Sequence, residues 1–466
     1  MAINIDKQLV FLFIMMMVLP GITLYGQEFK VDTIQYNGDL EKIINLVILP
    51  DGYTEGEMRK FHDDSRKLIN ELFSQRPFLE YKNYFNVFSI LSPSIATGAS
   101  HPATASDVNE PVFPKATVNN RFGSTFDFAQ IHRLLVPTRT FAINNVLAQN
   151  FPLYDQVLML VNTPHYGGSG GFIATTSLNT NASEIAIHEI GHSFADLADE
   201  YYAGDQYARE SANMTRTTDP ETVRWKNWYG EESIGIYQHC CDGISNLWYR
   251  PHNNCKMRFL DRPFCAVCVQ EIVETIHRLS NPIESIYPKE EIIDDDFPLM
   301  LTIHSIKPEP NTLKTTWYLN DEVIAINSDT IIIDEKLIPE GLATIRFTME
   351  DTTDMLRVND HAEIHTLQVI WEVNRSTTSV ELINNALYDI QINPNPTYDY
   401  VAIRFLESPK QNYEISLFDL SGNLHQKFRF FENNTRINLQ NLPPGPYLLN
   451  IRAENQLIFS KKIYKF

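Results

Sequence analysis

Apolar residues are laid out along the chain in three different rhythms. The first is an unbroken run over residues 9–19, preceded by Lys7 and stopped by Pro20 and Gly21. Its length is that of the apolar segment of an export signal and too short for a membrane-spanning helix. With a small-residue cleavage point at Gly26-Gln27, residues 1–26 are expected to be a signal peptide. No later stretch is apolar for long enough to span a bilayer, so no transmembrane anchor is expected in the mature chain.

The second rhythm occupies residues 27–281, where short strand-like runs alternate with amphipathic helical patterns. Residues 45–50 are strand-like and end in the turn signal Asp51-Gly52. Residues 54–73 follow with apolar positions at helical spacing, while 84–91 and 156–161 are further strand candidates. A mixed sheet with helices packed on it is predicted, an α+β domain large enough to bury a sizeable core.

In the third rhythm helical signals fade. Pro282 and Pro288 frame an acidic stretch, residues 290–296, that reads as a linker or a sheet edge. Strand-like runs at 315–319, 330–333, 343–347 and 367–371 then predict a small β-sandwich over 282–378. A second small all-β sandwich is predicted over 387–466, with strands at 399–405, 413–419, 435–439, 447–453 and 457–464. Gly422 and Pro444-Gly445 mark its turns.

Composition narrows the partners. Against 58 acidic residues stand 38 Lys and Arg, a formal charge of −20, which argues against a nucleic-acid partner. All five cysteines, Cys240, Cys241, Cys255, Cys265 and Cys268, lie within one short region. In an exported chain the default expectation is two disulfides with one thiol left over. The rival is a structural zinc on Cys265 and Cys268 with two further ligands.

The segment that carries chemistry runs from Ser183 to Tyr201. On a helix, His188 and His192 are four apart and share one face, so both imidazoles can address one metal ion. Glu189 is offset by one position and can reach water on that metal, and Ser183 is the expected N-cap. Neutral imidazoles with an oxygen ligand suit Zn²⁺, which activates water and polarises a carbonyl. Glu189 as general base then gives metal-assisted hydrolysis of a peptide bond. A third protein ligand is needed. Asp196 would be aimed away by a continuing helix, whereas Asp199 and Glu200 could fold back beyond a bend; Asp199 is preferred, with Glu200 the alternative. The bland reading is a helix with two satisfied histidines followed by solvated carboxylates.

At this segment the chain resembles the IgA-peptidase family of zinc metallopeptidases, placed among the metzincins. Residues 45–53, 84–87, 98–102 and 166–171 look like that family's landmarks in the same order, so the resemblance covers roughly 40–280. It implies a metzincin-like catalytic domain, a zinc set of His188, His192 and Asp199, and a methionine turn at Met257. The family commonly has glycine where Asp196 stands; the bend wants a positive φ, which Asp tolerates less freely than Gly. The stretch Tyr166, Gly167, Gly168 and Gly170 is a candidate substrate edge, where a glycine-rich strand lets a peptide backbone approach. An ordinary glycine turn is the alternative there. His165 beside it reads as a surface histidine.

The last eighty residues resemble the C-terminal sorting domain of the type IX secretion pathway of Bacteroidetes, through Asn393-Pro-Asn-Pro396, residues 417–422, residues 442–447 and the basic ending at 461–465. That resemblance implies the outer-membrane secretion machinery as a partner, a secreted or cell-surface location, and no part in catalysis. The central β domain resembles an immunoglobulin-like module in pattern alone. Together these readings give a secreted zinc-dependent endopeptidase acting on protein or peptide substrates. A catalytically silent surface or adhesion protein and a metallo-amidase are the alternatives.

Overall fold

The computed structural model describes residues 28–107, 115–240, 243–294, 297–359, 361–375, 390–405, 412–419, 422–453 and 456–466. The expected signal peptide lies outside them. A six-stranded sheet organises the first part of the chain. Its order is β1 (Val31–Gln35), β3 (Phe85–Ile90), β2 (Ile44–Asp51), β4 (Gln156–Val161), β6 (Ala174–Thr176) and β5 (Gly168–Ser169). Strands β2, β3, β4 and β6 run parallel, and β1 and β5 close the two edges antiparallel.

The continuous apolar runs of β2 and β4 follow from this position, because both faces of the sheet are covered. Leu46 and Ile48 face a core built with Phe61, Ile187 and Ile272, which belong to helices α1 (Met58–Leu72), α3 (Ala182–Ala195) and α4 (Ala266–Leu279). Val47 and Leu49 face the opposite core, closed by Ile143 and Leu147 of α2 (Thr140–Asn150). The helical pattern expected over 54–73 is split in two. One turn of 3-10 helix at Glu55–Glu57 precedes α1, tied off where the Thr54 N–H donates to Glu57 Oε2 at 2.8 Å. At the end of β2, the buried Asp51 carboxylate accepts N–H groups of Gly52, Phe122 and Ser124 at 3.1, 3.0 and 2.9 Å, fastening the loop beside the strand.

The chain then becomes all-β. A three-stranded sheet (Ile283–Tyr287, Leu299–Ser305, Thr330–Ile333) and a five-stranded one (Ile292–Asp294, Thr366–Arg375, Gly341–Asp351, Leu313–Leu319, Glu322–Ile326) share one core. Trp317 stacks on Trp371 there, with ring centroids 5.7 Å apart. Part of the acidic stretch, Ile292–Asp294, is a three-residue edge strand. Leu299–Ser305 was not among the expected strands, although Leu299, Leu301 and Ile303 alternate inward.

The described residues up to Ile338, with Ala343–Val373, form one compact unit, and Pro339–Leu342 with the described residues from Asn374 onward form a second. The second unit holds a three-stranded sheet (Ile390–Asn393, Tyr400–Phe405, Asn434–Asn438) and a four-stranded one (Leu424–Phe430, Tyr413–Asp419, Gly445–Ala453, Gln456–Lys465) around their own apolar core. Leu424–Phe430 escaped the sequence pattern because it is an edge strand largely exposed along its length. Overall the chain is a mixed α/β structure of several sheets and few helices. Among the described residues no helix is long and apolar enough to cross a membrane.

Within the first unit, one buried carboxylate lies at the centre of the contacts that join the helix-bearing part to the β region that follows. Asp351 is 2 % exposed and accepts from Tyr81 Oη at 2.6 Å, Thr312 Oγ1 at 2.6 Å and the Thr353 N–H at 3.1 Å, with His277 Nε2 at 3.1 Å. Burial resists ionisation of Asp351, but the hydrogen bonds from His277, Thr312 and Tyr81 outweigh it and hold the carboxyl below its ordinary pKa. A depressed folded pKa stabilises above the unfolded value, and that contribution is lost as pH falls through the folded one. Asp351→Ala should therefore lower unfolding free energy by about 3 kcal/mol at neutral pH. In denaturant titrations the gap between wild type and variant should close below about pH 4, where the unfolded chain takes up the proton.

Candidate metal centre

Helix α3 forms because Ile185, Ala186, Ile187, Ile190, Phe194 and Ala195 present a buried apolar stripe to the core. It begins after Asn181, so the expected N-cap at Ser183 is corrected: Ser183 sits inside the first turn. The start is set one turn earlier, where Asn179 accepts the Ala182 N–H on its carbonyl at 2.9 Å and the Asn181 N–H on its side chain at 3.1 Å.

His188 and His192 lie one turn apart on this helix. Their Nε2 atoms are 3.2 Å apart, and Asp199 Oδ1 is 3.1 Å from each. The opposite ring nitrogens are engaged by backbone carbonyls: His188 Nδ1 donates to Lys256 O at 3.0 Å and His192 Nδ1 to Leu197 O at 2.7 Å. With the proton on Nδ1, each Nε2 presents a lone pair, so two nitrogens and a carboxylate oxygen face one another as three acceptors. Such a set needs a positive charge at its centre. Metal–ligand bonds of about 2.0–2.1 Å at tetrahedral angles place ligand atoms about 3.3 Å apart, close to the observed triangle. Burial opposes a charge on His192, but Asp199 and Glu189 outweigh it and lift the imidazole pKa to about 9. Burial would likewise raise Asp199, yet the two imidazoles facing it hold it well below the carboxylate range.

Asp199 reaches this point because the helix ends in a left-handed turn. Asp196 has φ 49° and ψ 29°, its N–H and that of Leu197 turn back to the carbonyls of His192 and Gly191, and its carboxylate pairs outside with Arg209 at 2.9 Å. The positive φ expected at this bend is present. Glu200 takes the other direction. Its N–H donates to Met257 O at 2.8 Å and its carboxylate is fully buried away from the histidines, against Asn213 and Cys268. Met257 is also fully buried and lies beneath α3, where a Cβ on Gly191 would come within 2.7 Å of its sulfur.

Glu189 faces the open side. It lies with both histidines in one cluster whose ligand atoms are all within 4.8 Å of one another, and burial raises its pKa above the ordinary carboxylate value. A cleft of about 930 Å³ opens over it, lined among others by Arg133, Tyr166, Gly168, Gly170, Tyr201 and Phe259. A Cβ on Gly170 would stand 2.8 Å from Glu189 Oε2 and from His192 Cβ, so the backbone approaches the carboxylate as closely as glycine permits. The rest of the glycine stretch behaves differently. The Gly168 N–H and carbonyl are both engaged, by Arg133 O and the Leu135 N–H at 3.3 Å each, and Gly167 packs against Phe126. His165 is half-buried beside His101 and Phe126 rather than on the surface.

Sequence reasoning missed several residues here. Arg133 lends positive charge near Glu189 and lies over the Tyr201 ring, and Tyr201 sits against His188. Lys256, 1 % exposed, forms an ion pair with Glu184 in the first turn of α3, which fixes the carbonyl that His188 uses. A buried lysine has no local signal. The expected disulfides are also corrected: among the described residues none is formed, and the sulfurs of Cys255 and Cys265 stand 3.6 and 3.7 Å from that of Cys268, against about 2.0 Å for a bond. Cys241 lies outside the described residues.

The left-handed turn gives a direct test. Asp196→Val should lower unfolding free energy by about 1–2 kcal/mol, because a β-branched residue resists positive φ. Asp196→Gly should stay within about 0.5 kcal/mol of wild type, the easier backbone offsetting the loss of an exposed ion pair. Chemical denaturation of both variants measures the difference.

Residues 33–236 match the family model described as IgA Peptidase M64, a span that includes α3 and Asp199 and ends before Met257. Residues 391–465 match the model described as Secretion system C-terminal sorting domain. No curated protein matches the chain. Among solved structures it is similar to a beta-glucuronidase of Parabacteroides merdae, at 8% identity and TM-score 0.15, covering 48% of this chain and 28% of that one. It is also similar to the two-domain fibronectin type-III segment of chicken tenascin (11%, TM-score 0.15, 40% of this chain and 100% of that one). The fibronectin(III)-like modules of Clostridium thermocellum CbhA are a third likeness (9%, TM-score 0.16, 39% and 92%). At such TM-scores these likenesses assign no fold. The two family matches assign domains rather than the whole chain: residues 33–236 are similar to the IgA-peptidase M64 domain, and the type IX secretion sorting domain at 391–465 indicates a protein secreted by, or held on the surface of, a Bacteroidetes-like cell.

Proposed function

We propose that this chain is a secreted zinc-dependent endopeptidase that hydrolyses peptide bonds of extracellular proteins on a metzincin-like catalytic domain. The observation that carries the reading is the triangle of His188 Nε2, His192 Nε2 and Asp199 Oδ1, with both Nδ1 protons committed to backbone carbonyls. Two imidazoles and one carboxylate oxygen are the donor set of a catalytic zinc site with its fourth position left open. Zinc held there supplies a Lewis acid for the scissile carbonyl and makes water acidic enough to deprotonate near neutral pH. Met257 supports the site from beneath.

Glu189 takes the proton from the attacking water and hands it to the leaving amine. Burial raises its pKa above the ordinary carboxylate value, which suits a base that must also return the proton. The substrate main chain lies along the glycine edge that closes the sheet antiparallel. Since Gly168 already pairs with Arg133 and Leu135, the approach is centred on Gly170, with Tyr166 as a wall of the cleft. The same reading divides the chain into a signal peptide at 1–26, the catalytic domain at 27–281, an immunoglobulin-like domain at 282–378 and the sorting domain at 387–466. The intact set of His188, Glu189, His192 and Asp199 speaks against a silent adhesion protein.

Metal analysis with a casein-cleavage assay tests the reading. Wild type should hold zinc and cleave; Glu189→Gln should keep the metal while kcat falls by about 10²–10⁴-fold. Equal cleavage by the variant would remove Glu189 from its role. Zinc retained by a wild type that cleaves no peptide would favour the amidase or the silent reading.

A further inference from the structure

Behind the histidine site lies a second group of ligand-type side chains that the proposed reaction does not use. Cys255 and Cys268 are fully buried, Cys265 is 7 % exposed, and Glu200 is fully buried with its Oε2 lacking a hydrogen-bond partner. The four ligand atoms all lie within 4.8 Å of one another. Cys268 Sγ is 3.6 Å from Cys255 Sγ, 3.7 Å from Cys265 Sγ and 3.5 Å from Glu200 Oε1.

We propose that Cys255, Cys265, Cys268 and Glu200 bind a structural zinc ion, separate from the ion at the histidines. The spacing is that of a coordination tetrahedron. Zinc–sulfur bonds of about 2.3 Å and a zinc–oxygen bond of about 2.0 Å give sulfur–sulfur edges of about 3.8 Å and sulfur–oxygen edges of about 3.5 Å. A set of three thiolates and one carboxylate is soft enough to prefer zinc over calcium or magnesium. The helix N-terminus favours a thiolate at Cys265, which stands at the N-cap position of the fourteen-residue helix α4; Cys268 lies in its first turn, and the Cys265 N–H points to Cys255 Sγ at 3.3 Å. Asn213 Nδ2 donates to Glu200 Oε1 at 3.1 Å and orients the carboxylate.

Such an ion would brace the active site from behind. Glu200 follows Asp199 in the chain. Cys255 precedes Lys256, whose carbonyl accepts from His188, and Met257, which lies beneath α3. One ion therefore ties together the loop that brings the third histidine-site ligand, the segment that fixes one histidine's tautomer, and the start of α4.

The test uses the full chain carrying His188→Ala and His192→Ala, so that its outcome is independent of the peptidase reading. About one zinc per chain should remain by elemental analysis, against about two in wild type. Replacement by cobalt(II) should give a sulfur-to-metal charge-transfer absorption, and the three thiols should resist alkylation until a strong chelator is added. Cys268→Ser, which removes one of three thiolates, should weaken that absorption. Should this variant fail to fold, Glu200→Gln should keep the absorption while zinc is lost at lower chelator concentration. A double-histidine variant that holds no metal overturns the proposal, as does a cobalt spectrum without a sulfur signature or recovery of two of these cysteines as a disulfide; wild-type zinc lost entirely with the histidines would leave the peptidase reading standing alone.

Discussion

The hydrogen bonds from His188 Nδ1 to Lys256 O and from His192 Nδ1 to Leu197 O are the constraint on which the site depends. An imidazole whose proton is committed on one side has a lone pair on the other, and its ring cannot rotate without breaking the bond. Two such rings facing Asp199 make a cluster of acceptors that repel one another unless a cation or a proton joins them. The two carbonyls come from separate parts of the chain. Leu197 belongs to the left-handed turn that ends α3, and Lys256 to a segment pinned by its own ion pair with Glu184. The fold thus holds the rings from opposite ends.

Much of the surrounding structure follows from the need for close approach. Gly191 lets Met257 sit directly beneath the helix, and Gly170 lets the chain leaving the edge strand pass close to the Glu189 carboxylate. Neither backbone could come so near with a side chain in the way. The sheet supplies the rigidity, since β2 and β4 are buried on both faces and carry the cleft on a platform that cannot shift without disturbing two cores. Residues that face the cleft lie largely on the turns and short edge elements around it, as is usual where a packed scaffold positions variable loops.

Consecutive carboxylates show how finely direction is set. Asp199 turns to the histidines and Glu200 to the cysteines, and the Glu200 N–H is tied to the Met257 carbonyl between them. Alternation of side chains along an extended segment sends neighbours to opposite sides. The charge of each carboxylate meets a different set of partners, so exchanging their roles would require the whole turn to move.

From the residues themselves came everything governed by local periodicity: the strands at 45–50 and 156–161 and the helix that puts His188 and His192 on one face; the bend at Asp196 came from the family resemblance. Those features depend on neighbours a few positions away. Edge strands such as Leu424–Phe430 were not legible, because no position is fully buried and the polar Gln426 interrupts the apolar alternation that leads to Phe428 and Phe430. Which of Asp199 and Glu200 faces the histidines, the arrangement of the cysteines, and the positions of Lys256 and Arg133 depend on tertiary packing. Each depends on partners that meet across long stretches of sequence, and the direction of a side chain in a loop is fixed by what it is buried against.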